Sequence, residues 1–282
     1  MTLRAMNVQL GRWVFTLDYP MPQVERPCAL SPFLCADNKD ADYRFHYIPK
    51  VESLGTSPLM NYTVRDSYRV LEGSAIRASW RDEGADVDIQ VPLERGQSLD
   101  MALRNPLLSA LQVVAAELLR HRGGYFFHAA SLRLRSGLTV MVPGVSGSGK
   151  TTFASGPWVA TLFSDEHSLL DFTGEHIRVH GVPFSGKEMN IPSPGSANLD
   201  LIVFLEKAKE GTTPLVRSIK PKEVVARLLR SMICFDRSPE VFIQNMECVE
   251  RLVQETPSVV LTYGLDRGAE AVSLLYDYGA AV

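Results

Sequence analysis

The stretch that most constrains this chain runs from Thr139 to Phe153, TVMVPGVSGSGKTTF. Gly144, Gly149, Lys150 and Thr151 complete the spacing G-x-x-x-x-G-K-[ST], and Gly147 adds a further glycine inside the loop. Val140, Met141 and Val142 form an apolar run before it, as a strand feeding a phosphate-binding loop requires. Glycines here let the backbone curl close around an anion with its N–H groups pointing inward. A helix starting at the end of the loop would present its positive end to the same anion. The spacing predicts that Gly144, Val145, Ser146, Gly147, Ser148, Gly149, Lys150, Thr151 and Thr152 hold the phosphates of a nucleotide such as ATP. Lys150 would reach the β- and γ-phosphates, and the Thr151 hydroxyl would complete the coordination of Mg²⁺. A flexible glycine–serine turn could spell the same pattern, but the strand before it and the helical stretch after it favour the nucleotide loop.

At 282 residues the chain can bury a real core and form one large or two modest domains. A formal net charge of −3 and a pI near 6.1 give no reason to expect nucleic acid or an anionic membrane as a partner. Cys28, Cys35, Cys234 and Cys248 show no C-x-x-C spacing and no histidines arranged beside them as ligands, so reduced, mostly buried thiols are expected. The N-terminal MTLRAMNVQLGRW lacks the apolar core of a secretion signal, and no apolar run approaches the ~20 residues of a membrane span. A soluble, cytoplasmic protein is the expectation.

Residues 1–97 read as β-rich. Alternation is visible in YRFHYIP around Phe45 and in DVDIQVPL around Ile89, with shorter candidates near Trp13, Tyr68 and Ile76. Glu72-Gly73-Ser74 and Glu83-Gly84-Ala85-Asp86 mark turns between them, and prolines 20, 22 and 27 make the segment after the first strand irregular. A small antiparallel module is predicted, available for substrate recognition, dimerisation or cover of a second domain. His46 stands among aromatics as a packed or half-exposed side chain, with no ligand role.

A nucleotide-binding domain is expected over 98–282. Asn105 as N-cap, Pro106 at the first position and the closing Gly123-Gly124 predict a helix, whose apolar stripe from Leu107 to Leu119 would pack under the sheet of that domain. Then YFFHAASLRLR (125–135), Ser136-Gly137 and LTVMV (138–142) read as a β-hairpin, so the strand entering the loop is paired antiparallel with its predecessor. The helix after the loop is short, Thr151 to about Trp158 at most, because Gly156-Pro157 weakens its end. ATLFSDEHSLL (160–170) looks like a strand carrying Asp165-Glu166, the kind of acidic pair that a metal or base site needs. Asp165 follows Lys150 by only fifteen residues, so the chain returns directly alongside the phosphates.

His128 in FHAAS, the hairpin into GVSGSGKTT and the closely following FSDE together resemble the HPr kinase/phosphorylase superfamily, and within it the HPr-kinase-related proteins of peptide natural products, including lasso-peptide precursor kinases. The resemblance covers roughly 120–265 and is strong over 125–170. It implies an α/β P-loop kinase domain of the phosphoenolpyruvate-carboxykinase type with a mixed sheet, and transfer of phosphoryl from ATP to a serine hydroxyl. It also implies roles for His128, for Gly144 through Thr151, and for Asp165 and Glu166. The superfamily's downstream glycine/arginine-rich signature, which supports the reverse reaction, is absent. Relatives often form homo-oligomers, although no sequence feature here demands one.

The rest reads as a strand with a long Gly-, Pro- and Ser-rich loop (176–198, carrying Lys187), a buried strand (199–206, ending in Glu206), helices over 222–235 and 239–254, a strand (258–264) and a final helix. Arg227 and Arg230 on the first of these helices are candidates for the γ-phosphate. The expected activity is an ATP-dependent kinase acting on a Ser or Thr hydroxyl of a peptide or small protein. Asp165 would accept the hydroxyl proton, His128 would orient it or touch the γ-phosphate, and Lys150 would neutralise charge. Thr151, Asp165 and Glu166 are the candidate Mg²⁺ ligands. A small-molecule hydroxyl kinase is the alternative within enzymes. A non-kinase ATPase or switch is the alternative outside them, against which stands the lack of N-K-x-D, L-S-G-G-Q and a late acidic strand.

Overall fold

The computed structural model describes residues 3–20, 30–35, 40–50, 60–73, 76–81, 84–92, 99–184 and 192–281. Cys28 and Lys187 lie outside the described residues. The chain is mixed α/β and divides into two units, residues 1–119 with 234–237, and residues 120–233 with 238–282. The boundary therefore falls after the first helix and not near residue 97.

The first unit holds β1 (Leu3–Leu10), β2 (Trp13–Pro20), β3 (Tyr43–Lys50), β4 (Asn61–Arg65), β5 (Tyr68–Glu72), β6 (Arg77–Arg81), β7 (Asp86–Pro92) and α1 (Leu99–Arg120). Seven strands form one sheet in the order β1-β2-β3-β7-β6-β5-β4. The sheet is mixed, which corrects the antiparallel expectation: β2–β3 and β3–β7 are parallel. Parallel neighbours need a long crossover. The proline-bearing segment 21–42 provides one, and the β4–β6 meander provides the other. Val8, Phe15, Leu17, Phe45, Val87 and Ile89 are fully buried, so alternate residues of the central strands form the core. His46 is half-exposed, as expected, and is held by carboxylates: Nε2 lies 2.9 Å from Asp86 and Nδ1 lies 3.2 Å from Asp18, which also pairs with Arg44 at 2.5 Å. Helix α1 starts upstream of Asn105-Pro106, so the proline is inside it. Asp100 to Arg104 (DMALR) is rich in helix formers and extends the helix past the expected cap. Through Leu119 it belongs to the first unit.

The second unit begins with β8 (Gly124–Leu134) and β9 (Thr139–Pro143), an antiparallel hairpin turning at Ser136-Gly137 with Gly137 at φ +94°. Then come α2 (Lys150–Ala154), β10 (Val159–Ser164), β11 (His167–Asp171), β12 (Arg178–His180) and β13 (Ser196–Asn198). They are followed by β14 (Leu201–Lys207), β15 (Leu215–Ser218), α3 (Pro221–Ser231), α4 (Pro239–Glu255), β16 (Ser258–Tyr263) and α5 (Gly268–Ala281). The sheet runs β13-β12-β11-β8-β9-β14-β16-β15, with β10 also on β8. Its β9–β14 and β14–β16 pairings are parallel.

Neighbouring residues of one strand face opposite layers. Val140, Val142, Val203 and Leu261 pack with Phe153, Ala271 and Leu275 on one side, whereas Met141, Ile202, Phe204 and Val260 pack with Leu228, Val249 and Leu252 on the other. Strands covered by helices on both faces are apolar throughout, as TVMVP and LIVFL are. Two expected elements are shorter than predicted. Helix α2 is little more than one turn, because Ser155, Gly156 and Pro157 end it. Helix α3 stops at Ser231, after which Met232 bridges Phe127 and the Ile233 N–H donates to the Phe126 carbonyl at 2.8 Å, so this edge of β8 takes over the backbone pairing.

Candidate nucleotide and phosphoryl-transfer site

The parallel strands β9, β14 and β16 end together, and the loop 144–149 leaves β9 at that end. Gly147 and Gly149 have φ of +80° and +99°, values that only glycine adopts cheaply. Among the described residues, no carbonyl accepts from their N–H groups, which leaves these two donors on either side of Ser148, whose own N–H donates to the Val145 carbonyl at 3.2 Å. A side chain on Gly144 would meet Ser148 Oγ at 2.6 Å and its Cβ at 3.1 Å, so Ser148 would have to move aside for any larger residue there. With α2 so short, its dipole contributes little. The anion-binding capacity rests on the loop's N–H groups and on Lys150.

Lys150 is 6% exposed and folds back across the loop. Its Nζ donates to the Gly144 carbonyl at 2.7 Å and the Val145 carbonyl at 3.1 Å, and lies 3.1 Å from His128 Nε2. His128 reaches this point because β8 pairs with β9 immediately before the loop, and the Gly144 N–H donates to the His128 carbonyl at 3.3 Å. Burial, and secondly the Lys150 ammonium, hold the His128 imidazole below its ordinary value, while Glu166 pulls the other way. His128 is thus neutral near pH 7, and facing an ammonium donor its Nε2 must be the accepting nitrogen, with the proton on Nδ1. Burial also lowers Lys150, and Glu166 partly offsets this.

Asp165 and Glu166 do not sit within one strand as expected. They form the break between β10 and β11, both of which pair with β8. The register against β8 shifts earlier, within β10 between Val159 and Thr161 and between Leu162 and Ser164, and the Ala129 N–H donates to the Glu166 carbonyl at 3.0 Å. Both residues line the cavity at the loop: about 340 Å³ in volume, it is bounded by His128, Lys150, Thr151, Asp165 and Glu166 together with loop residues. Asp165 is 1% exposed, so its carboxylate is desolvated against this cavity.

Two neighbours were not foreseen. Lys207, at the end of β14, lines the same cavity, and its Cε would lie 3.7 Å from a Cβ placed on Gly149. His167 stacks near His128, with ring centroids 5.5 Å apart, and burial followed by His128 and Lys150 lowers its pKa to about 3. No local motif marks either residue: both reach the site through strand pairings between distant segments. Arg227 and Arg230 line an adjoining cavity of about 220 Å³ with His128, Gly144 and Val145. Arg227 is committed to Glu223 at 2.6 Å and Glu206 at 3.6 Å, whereas Arg230 makes no ion pair among the described residues. The Glu206 carboxylate, also held by Arg217 at 2.8 Å, is a structural anchor.

Two donor sets could hold a cation. Thr151, Asp165 and Glu166 offer hard oxygen atoms on one cavity wall, the chemistry that Mg²⁺ prefers. His128, Glu166 and His167 have ligand atoms within 4.8 Å of one another. A dication among them would meet the Lys150 ammonium, already 3.1 Å from His128, so the oxygen set fits better. Among the described residues, no helix is long and apolar enough to cross a membrane. Compared with family models the chain matches none, and a search of curated proteins returns no match.

Proposed function

We propose that this chain is an ATP-dependent kinase that transfers the γ-phosphoryl group to a Ser or Thr hydroxyl of a peptide or small protein, with a P-loop fold of the HPr-kinase type. The observation that carries this reading is the convergence of His128, Lys150 and the Asp165-Glu166 pair, from three elements, on the cavity of one glycine-rich loop. Phosphoryl transfer asks for in-line positioning and charge neutralisation, and this cavity offers both. Thr151, Asp165 and Glu166 would hold Mg²⁺, which would supply neutralisation of the phosphate charge.

The loop N–H groups cradle the phosphates, and Lys150 exchanges its carbonyl partners for the β- and γ-phosphate oxygens. The acceptor hydroxyl oxygen attacks the γ-phosphorus, the bond from that phosphorus to the β–γ bridging oxygen breaks, and ADP leaves. The hydroxyl proton passes to the Asp165 carboxylate. Neutral His128, with Lys150 on Nε2, fixes that ammonium at the γ end.

The test is turnover of ATP and Mg²⁺ with and without Ser/Thr peptides, read as ADP released and as peptide mass gained. A kinase is nearly idle until a peptide is added. Full ADP release without any acceptor would instead assign the site to an ATPase or switch, and phosphorylation of small alcohols alone would assign it to a metabolite kinase.

A further inference from the structure

The cavity at the glycine-rich loop has a γ end, marked by His128, Asp165 and Glu166, and a nucleoside must leave it elsewhere. Among the described residues two cavities adjoin it, and the one with Arg227 and Arg230 includes His128 and the start of the loop, so it lies at the γ end. The other, about 290 Å³, shares Gly149, Thr152 and Lys207 with the phosphate cavity but is not lined by His128, Asp165 or Glu166.

This second cavity changes character along its length. Beyond Lys207 its walls are Leu205, the ring of Tyr263 and Leu265, with Glu210 at the side. Leu265 is 66% exposed, a large apolar side chain held in water at the rim of an apolar slot. Glu210 is exposed and makes no hydrogen bond or ion pair among the described residues. The slot is preformed. Gly211 N–H donates to Asp266 Oδ2 at 2.9 Å, and the Ala208 N–H donates to the Tyr263 carbonyl at 3.0 Å, tying the segment after β14 to the segment after β16. A side chain on Gly264 would meet the Lys209 carbonyl at 2.8 Å, so the close approach of the two segments depends on that glycine.

Resting on the kinase reading above, we propose that this slot binds the base and ribose of the donor nucleotide. A flat heteroaromatic ring lies between Leu265 and Leu205 with the aliphatic stem of Lys207, and the ribose hydroxyls donate to the Glu210 carboxylate. The slot thereby sets the protein's preference for a nucleoside triphosphate over a bare polyphosphate. The phosphate end is charged and amide-lined, the slot end is apolar, and the two are joined at Gly149 and Thr152. That polarity matches a nucleoside triphosphate and matches no simple anion.

The experiment measures binding of ATP and of inorganic tripolyphosphate, each with Mg²⁺, by calorimetry to the full chain and three variants. ATP should bind the wild type at least about tenfold more tightly than tripolyphosphate. Leu265→Asp, a change at an exposed position, should remove most of that advantage and leave tripolyphosphate binding unchanged. Glu210→Gln should weaken ATP severalfold but leave 2′,3′-dideoxy-ATP unaffected. Lys150→Ala should weaken both ligands together. Equal affinity of the wild type for ATP and tripolyphosphate, or a Leu265→Asp protein with undiminished preference for ATP, overturns the slot. Tripolyphosphate binding that survives Lys150→Ala, or no binding of either ligand to the wild type, overturns the phosphate-loop reading and the slot with it.

Discussion

Lys150 has three acceptor partners, two carbonyls of its own loop and an imidazole nitrogen, which phosphate oxygens would replace under the proposed function. Replacing it with Ala should abolish transfer and weaken ATP binding, since the γ-phosphoryl loses its nearest fixed cation. Asp165→Asn keeps shape but loses both charge and proton acceptor. Transfer should fall by ~10²–10⁴-fold in single-turnover measurements, with ATP affinity little changed if Thr151 and Glu166 suffice for Mg²⁺. Affinity and transfer lost together would make Asp165 mainly a metal ligand. His167 makes a pH prediction. Its ring titrates near 6.5 in the unfolded chain and at about 3 when folded. Between those values the unfolded state binds more protons, so stability should fall as pH drops from 6.5 toward 3, by at most about 1.4 kcal/mol per pH unit from this group. Urea unfolding at pH 7 and pH 5 should show a smaller loss for His167→Gln than for the wild type. At this scale the loop pattern already marked Lys150 and the short spacing marked Asp165 and Glu166, because both signals are local, whereas His128 was marked by the family resemblance. Lys207 and His167 were not marked, because only the folded sheet brings β14 and β11 to the loop.

Among elements, the hairpin β8–β9 was legible from two apolar runs and the Ser136-Gly137 turn, and the short α2 from Gly156-Pro157, though it proved shorter still. The parallel pairings of β3 were not legible, since alternation reports which face is buried and says nothing of strand direction. Nor was the break at Asp165-Glu166, where the run SDEH continues a strand-like pattern and only the separate pairings of β10 and β11 with β8 show that the two residues lie between strands. The loop itself can be probed by comparing two glycines of similar backbone. Gly149 and Gly137 have φ of +99° and +94°, and at neither would a Cβ meet an atom closer than 3.7 Å. Alanine at either should therefore cost a similar ~1–2 kcal/mol of left-handed strain in urea unfolding. Only Gly149→Ala should also weaken ATP binding, by about tenfold or more, because its N–H belongs to the anion cradle. Equal ATP affinity in both variants would remove Gly149 from the site.

On the scale of the molecule, the division into units does not follow chain order. The chain leaves the second unit after Ile233, contributes Cys234–Arg237 to the first, and returns at Ser238 to begin α4. Composition cannot reveal such an excursion, because the segment CFDR carries no signal of its own and is placed by one buried acid far away in sequence. Glu117, on α1 and 1% exposed, accepts the Phe235 N–H at 2.5 Å and the Asp236 N–H at 3.3 Å through the same Oε1 atom. Arg69 Nη1 lies 3.9 Å from the Asp236 carboxylate, a weaker contribution. The two backbone donors have no water-exposed alternative while the segment stays in place, and an unsatisfied buried donor costs ~1–3 kcal/mol. Glu117→Gln retains an acceptor oxygen and should lose little. Glu117→Leu fills the same space without an acceptor and should lose several times more, up to about 3 kcal/mol in urea unfolding. The site of the second unit is untouched by either change, so each variant, where folded, should bind ATP as the wild type does. Equal stability of the Leu and Gln variants would mean that Glu117 does not fix the segment, and that packing of Phe235 alone holds it in the first unit.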